Sequence, residues 1–133
     1  MMDRMPQFSG IHHLAITVTN LEASTAFYSS VFGFPPAGEL EGSALRRRIF
    51  TLPSGTNIGL TQHDVATSEQ FSPFRPGMDH VGFGVDSLEE LRTWADHLDA
   101  SGIAHSGLVE ANYGTALSFT DPDGTALEFF VGA

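Results

Sequence analysis

Cysteine is absent from this 133-residue chain. That excludes disulfides, thiolate metal sites and a cysteine nucleophile, and it fits a reducing compartment. Cationic residues are scarce: six Lys and Arg stand against sixteen Asp and Glu, for a formal net charge of −10. Such a surface repels phosphate backbones and anionic lipid, so neither nucleic acid nor membrane is an expected partner. The acidity reads most simply as solubility. No apolar run is long enough to span a bilayer, and the opening MMDRMPQFSG has no continuous apolar stretch of the signal-peptide kind. A cytoplasmic protein is expected. Phosphate-cradling glycine loops and a serine elbow are also missing. Asp121-Pro122-Asp123-Gly124 is turn chemistry and lacks the ligand spacing of a calcium loop. Tryptophan occurs once and tyrosine twice against eleven Phe, so a core can be filled with few buried hydroxyls to satisfy. With 41% hydrophobic residues, the chain is an ordinary globular domain.

What is present is present twice. HLAITVTNLE at 13–22 returns as HVGFGVDSLE at 80–89, and FTLPSGTNIGL at 50–60 returns as FTDPDGTALEF at 119–129. The offsets are 67 and 69 residues. A half-chain repeat with a histidine opening each copy suggests a pseudo-symmetric cup with ligands drawn from both halves. We expect one domain over 1–133, built of a module at 11–62 and a module at 78–131, with a proline-bearing linker at 63–77.

Each half reads as βαβββ. Strands are expected over Ile11–Thr19, Leu45–Leu52 and Thr56–Thr61, with a short one after Pro36. Asn20 is a candidate cap for a helix over Leu21–Phe32, stopped by Gly33. In the second half, strands are expected over Met78–Val85, Ile103–Glu110, Tyr113–Thr120 and Thr125–Val131. A capping box, Ser87 to Glu90, opens a helix that runs to about Ala100. Alternation puts Leu14, Ile16 and Val18 under the first helix and His13, Ala15 and Thr17 on the opposite face. Likewise Val81, Phe83 and Val85 face the second helix, with His80, Gly82 and Gly84 opposite. The last strand divides into Leu127 and Phe129 on one face and Ala126, Glu128 and Phe130 on the other. Small residues beside each histidine leave open volume there.

Two neutral imidazoles and a carboxylate converging in a cup make a facial site for a divalent cation. The first repeat makes His13 and His80 equivalent. The second makes Glu128 equivalent to Gly59, so a fourfold symmetric set would have lost one ligand. Three ligands leave the cation open to substrate or water, as catalytic rather than structural sites do. A lone strand histidine is more often a satisfied structural group; the repeat and the small neighbours argue for ligation here. Glu128, among Leu127, Phe129 and Phe130, is costly to bury unless paired or metal-bound.

The HLAITV and HVGFGV strands and the closing DPDGTALEFF resemble the vicinal oxygen chelate superfamily of glyoxalase I, extradiol dioxygenases, methylmalonyl-CoA epimerase, fosfomycin-resistance thiol transferases and bleomycin-binding proteins. The resemblance spans about Ile11 to Val131. It implies an α+β fold in which two pseudo-symmetric βαβββ modules form an incomplete β-barrel cup. It places His13, His80 and Glu128 on metal-ligand positions and puts Gly59 at the fourth, which disfavours the four-ligand glyoxalase I and epimerase pattern. The implied cofactor is Fe²⁺, Mn²⁺, Zn²⁺ or Ni²⁺. The implied activity is that of a glyoxalase-like lyase or isomerase, or a dioxygenase, holding two neighbouring oxygens of a small substrate. A homodimer is also implied. Some relatives build each site from two chains, and the sequence leaves open whether His13 and His80 of one site share a chain. Metal-free members of the same fold bind or sequester small molecules, antibiotics included, and that is the alternative function. A partner-binding domain with relic His and Glu residues is a third.

Other residues carry weaker signals. His105 and Tyr113 are candidates to line the cup beside Glu128 as acid/base or hydrogen-bonding groups. His12 should point away from His13, and His97 should be solvated. His63 and Gln62 lie just past the lost ligand and are expected at the surface. Of Arg46, Arg47 and Arg48, alternation puts the outer two on one face and Arg47 on the other. Ion pairing with surface carboxylates is the simpler account. The sharper one is that one of them enters the cup and holds an anionic substrate. Phe50, Phe71, Phe74 and Phe119 are expected in core or linker packing.

Overall fold

The computed structural model describes residues 5–65 and 67–133; residues 1–4 and residue 66 of the linker lie outside it. The elements run β1 (His13–Thr17), α1 (Leu21–Phe32), β2 (Gly38–Glu41), β3 (Leu45–Thr51), β4 (Asn57–His63), β5 (Val81–Gly84), α2 (Leu88–Ala100), β6 (Leu108–Ala111), β7 (Gly114–Thr120) and β8 (Ala126–Gly132). They form two four-stranded sheets, ordered β1-β4-β3-β2 and β5-β8-β7-β6. The βαβββ order thus occurs twice, and the two sheets form no closed barrel. Strand ends differ from expectation by up to five residues. Ile103–Gly107, for instance, stays outside the sheet, tied down by the Ser106 N–H to the Ser118 carbonyl rather than by a regular ladder.

The local signals act as the sequence implies. The Asn20 side chain accepts the Ala23 N–H at the start of α1, and Gly33, at φ 80°, closes it in the left-handed conformation. The Ser87 hydroxyl accepts the Glu90 N–H at the start of α2. Alternation holds too: Ile16, Val18, Phe83, Leu127 and Phe129 are buried, while His13, Ala15, Thr17, His80, Gly82 and Gly84 are exposed. Phe50 and Phe119 are core, whereas Phe74 is 94% exposed on the linker.

One core serves both halves. Leu21, Tyr28 and Val31 of α1 and Leu91 and Leu98 of α2 join the inner faces of both sheets in a single buried cluster. Phe32 meets Phe83 edge-on at 5.5 Å and Phe27 lies 6.4 Å from Phe119, ring centre to ring centre, so the halves interlock through aromatic side chains. The His97 side chain is not solvated as expected. Its Nε2 donates to the Ser30 and Val31 carbonyls at 2.7 and 3.1 Å, caps the end of α1 and links the two helices.

The turn at 121–124 does more than reverse the chain. Asp121 and Asp123 are 5% and 7% exposed. The Asp121 carboxylate accepts the Asp123 and Thr125 N–H groups, both at 2.9 Å, and the Tyr28 hydroxyl from the other half at 2.8 Å. The Thr19 N–H and hydroxyl both donate to the Asp123 carboxylate. No helix among the described residues is long and apolar enough to cross a membrane.

Burial, then the adjacent Asp121 charge and hydrogen bond, hold the Tyr28 hydroxyl protonated well past its ordinary range. Its folded pKa exceeds its unfolded one, so its contribution is full below about pH 10 and fades as pH rises beyond that. The chain has no lysine or cysteine to titrate there. Denaturant titrations should show Tyr28→Phe costing about 1–3 kcal/mol at neutral pH. Part of the wild-type decline in stability above about pH 10 should vanish in the variant. Equal alkaline slopes in the two proteins would contradict the assignment.

Candidate active site

The second half brings His80 and Glu128 together. Gly82 is paired with Glu128 across the parallel β5–β8 ladder, and His80 lies two residues before Gly82 on the same face. The His80 Nε2 and Glu128 Oε1 are 3.5 Å apart. A Cβ on residue 82 would stand 3.5 Å from the Glu128 Oε2, in ordinary van der Waals contact, so the carboxylate lies directly over this position. On its other side, His80 Nδ1 is 2.6 Å from the Asp79 Oδ1. A carboxylate only accepts, so Nδ1 carries the proton, and a neutral His80 presents its Nε2 lone pair toward Glu128. Two acceptors facing each other at 3.5 Å call for a cation between them. A proton answers that demand in part: the Asp79 hydrogen bond, ahead of the Glu128 charge, raises the His80 pKa despite some desolvation. The donor chemistry, one imidazole nitrogen oriented by a second carboxylate beside one carboxylate oxygen, suits a divalent metal equally.

The first half repeats the geometry with different groups. Ala15 pairs with Gly59 across β1–β4 as Gly82 pairs with Glu128, which confirms the equivalence of positions 59 and 128. His13 lines a cavity of about 230 Å³ with His12, Ala15, Arg47, Ile49 and Gly59. His12 does not point away. It precedes the strand proper, and its Nδ1 lies 3.0 Å from the His13 Nδ1.

His13 does not join His80 and Glu128. Among the described residues, no three His, Asp or Glu side chains are grouped closely enough to hold one ion. This bears on the question the sequence leaves open, whether one site draws on one chain or two: within one chain, His13 stands apart from the His80–Glu128 pair. The halves pack through their inner faces, which leaves the two histidine faces open to solvent. Both faces sit on outermost strands, β1 in one sheet and β5 in the other.

The remaining candidates separate. His105 is held on the helix side, not beside Glu128. Its Nδ1 accepts the Gly107 N–H, so Nε2 donates to Asp99, 2.7 Å away at the end of α2. That helix covers the face opposite Glu128, so His105 does not line the cup. Tyr113, 75% exposed, stacks on Phe130 with ring centres 6.1 Å apart, and Phe130 shares the Glu128 face. Gln62 is turned inward and accepts the Leu21 N–H at 2.7 Å, while His63 is exposed. Arg46 pairs with Glu22 at 2.9 Å and Arg48 with Glu39 at 3.4 Å, as the simpler account of the arginine run expects. Arg47 does not follow. It reaches across Gly59 and donates from Nε to the Thr61 hydroxyl at 2.7 Å.

The family model of the Glyoxalase/Bleomycin resistance protein/Dioxygenase superfamily matches residues 10–129, and the chain belongs to that superfamily. A trivalent organoarsenical cleaving enzyme of Bacillus sp. (strain MD1) is 33% identical over 125 residues, 89% of this chain and 70% of that protein. A Bacillus subtilis (strain 168) protein named as a ring-cleaving dioxygenase, MhqA, is 28% identical over 128 residues, 91% of this chain. The chain spans only 39% of the length of that relative. The crystal structure of a glyoxylase/bleomycin resistance protein/dioxygenase domain from Frankia sp. EAN1pec superposes with a TM-score of 0.88 at 31% identity, covering 96% of this chain and 94% of that one.

The His80 environment has a direct readout. In a metal-free sample, the imidazole resonances should titrate above the ordinary 6.5. Asp79→Asn should lower that pKa further than Glu128→Gln does, because the Asp79 hydrogen bond is the larger cause. NMR titration of the two variants checks the order, and an unchanged pKa in both would contradict it.

Proposed function

We propose that the chain is a divalent-metal-dependent vicinal oxygen chelate enzyme acting on a small oxygenated substrate, with each site shared between two copies. His80 and Glu128 of one chain and His13 of the second would hold the cation. The observation that carries this reading is the facing pair of acceptors, His80 Nε2 and Glu128 Oε1 at 3.5 Å, where the outermost strand β5 runs beside β8. Outermost strands present unpaired backbone groups that a second chain can cover. A twofold arrangement that brings β1 of one copy beside β5 of the other would unite the donors and duplicate the site. The relatives named for organoarsenical cleavage and for ring cleavage support an enzyme.

When bound, the cation would supply Lewis-acid stabilisation of negative charge developing on two neighbouring substrate oxygens. The chain's own groups do the rest. Asp79 fixes the His80 tautomer, so that the lone pair rather than an N–H faces the site. Glu128 supplies negative charge beside it. The exposed Tyr113 hydroxyl, on the same face by way of Phe130, is the hydrogen-bond donor available to substrate.

A second reading has one observation in its favour. A cavity of about 660 Å³ between the halves is lined by Phe32, Phe34, Leu52, Val81, Trp94 and Phe129 among others. That volume and lining suit a small apolar ligand, so a metal-free binding protein is the alternative.

Subunit mixing tests the first reading. Wild-type protein should take up stoichiometric Mn²⁺ or Fe²⁺ by mass spectrometry, and His13→Ala and His80→Ala should each lose it. Co-refolded equal amounts of the two variants should recover about a quarter of the wild-type content. Half of the dimers are then mixed, and each mixed dimer has one intact site. Recovery of nothing would place the ligands within one chain. Absence of metal in wild-type protein under every loading condition would leave the binding protein.

A further inference from the structure

Arg47 stands where the repeat has lost a ligand. Position 59 is equivalent to the Glu128 position, and glycine there gives up the carboxylate. The arginine stem occupies the vacated space: a Cβ on residue 59 would lie 3.2 Å from the Arg47 Cδ and 3.7 Å from its Nε. Arg47 borders the cavity that His13, Ala15 and Gly59 also line. Its Nε is held by the Thr61 hydroxyl, a neutral partner, and Thr61 is 3% exposed beneath it.

The charge itself is uncompensated. Arg46, Arg48 and Arg75 each pair with a glutamate, whereas Arg47 meets no carboxylate among the described residues. In a chain with sixteen acidic residues, a half-buried arginine without one is unusual. The surrounding field repels free anions, so an anion admitted here needs a specific cationic partner. With Nε engaged, the two Nη groups remain as a planar pair of donors, the geometry that binds a carboxylate-type oxyanion through two parallel hydrogen bonds.

We propose that Arg47 is the anion-recognition group of this site, so that the substrate carries an oxyanion, a carboxylate or its chemical equivalent, beyond its two chelating oxygens. The placement of that oxyanion beside a metal rests on the shared-site reading. The binding of an anion by Arg47 does not. Gly59 is then the permissive residue: its missing side chain is what allows the guanidinium to reach the His13 face.

Benzoate serves as the probe, titrated at constant ionic strength into metal-free protein labelled with ¹⁵N in its arginines. One Nε–H resonance, identified by its loss in Arg47→Gln, should shift saturably. Arg47→Gln should weaken benzoate binding at least tenfold. Arg47→Lys should retain part of it, and Arg46→Gln should leave it unchanged. Gly59→Glu keeps the arginine but fills its path and adds a carboxylate partner, so it should abolish binding. That variant decides the matter if Arg47→Gln fails to fold. Absence of saturable binding in wild-type protein, or equal affinity in Arg47→Gln or Gly59→Glu, would overturn the proposal. Mn²⁺ uptake by the same samples separates the two readings. Benzoate binding without Mn²⁺ uptake upholds the guanidinium site and removes its metal neighbour; Mn²⁺ uptake without benzoate binding overturns the guanidinium site alone.

Discussion

The structure depends on two carboxylates buried in one turn. Asp121 and Asp123 accept hydrogen bonds from their own turn and from Tyr28 and Thr19 of the other half. Neither is free to be buried without those donors, because an unpaired carboxylate in an apolar setting costs several kcal/mol. The turn is thereby clasped to α1 and to the segment that joins β1 to it, which fixes how the halves meet. That arrangement turns both helices and both inner sheet faces into a common core and turns both histidine faces out. The histidine faces are exposed because the faces that stability needs are shared.

The equivalent turn of the first half shows the constraint is specific. Its residues are Leu52-Pro53-Ser54-Gly55, with neither aspartate. The same backbone reversal is made there without a clasp, and Leu52 instead borders the apolar cavity between the halves. The duplication thus kept the turn and assigned the clasp to one copy.

Much of this was legible in the residues. The repeat offsets fixed which positions correspond, and the Ala15–Gly59 and Gly82–Glu128 pairings follow that alignment. Alternation assigned the faces correctly, since a strand's period of two is local. Helix ends were marked by Asn20, Gly33 and Ser87, whose effects are also local. What the residues hid was long-range. Periodicity says which face is buried but not what buries it, so a cup closed within one chain and two outward faces were equally compatible with the pattern. Asp121 and Asp123 are ideal turn residues, and that role masked their distant partners. His97 gave no signal of the carbonyls it caps, and His105 none of Asp99. Arg47 left a trace, the arginine run with its alternation, but only the cavity beside Gly59 distinguishes it from its neighbours.

The vacancy at position 59 also gives the duplicated scaffold a polarity. At corresponding places one half presents a carboxylate and the other a guanidinium, so the pseudo-twofold relation holds for the backbone and is reversed in charge. Any molecule lying against both faces at once meets unlike ends. Such a molecule can be told head from tail, and a symmetric scaffold thereby acquires a sense of direction.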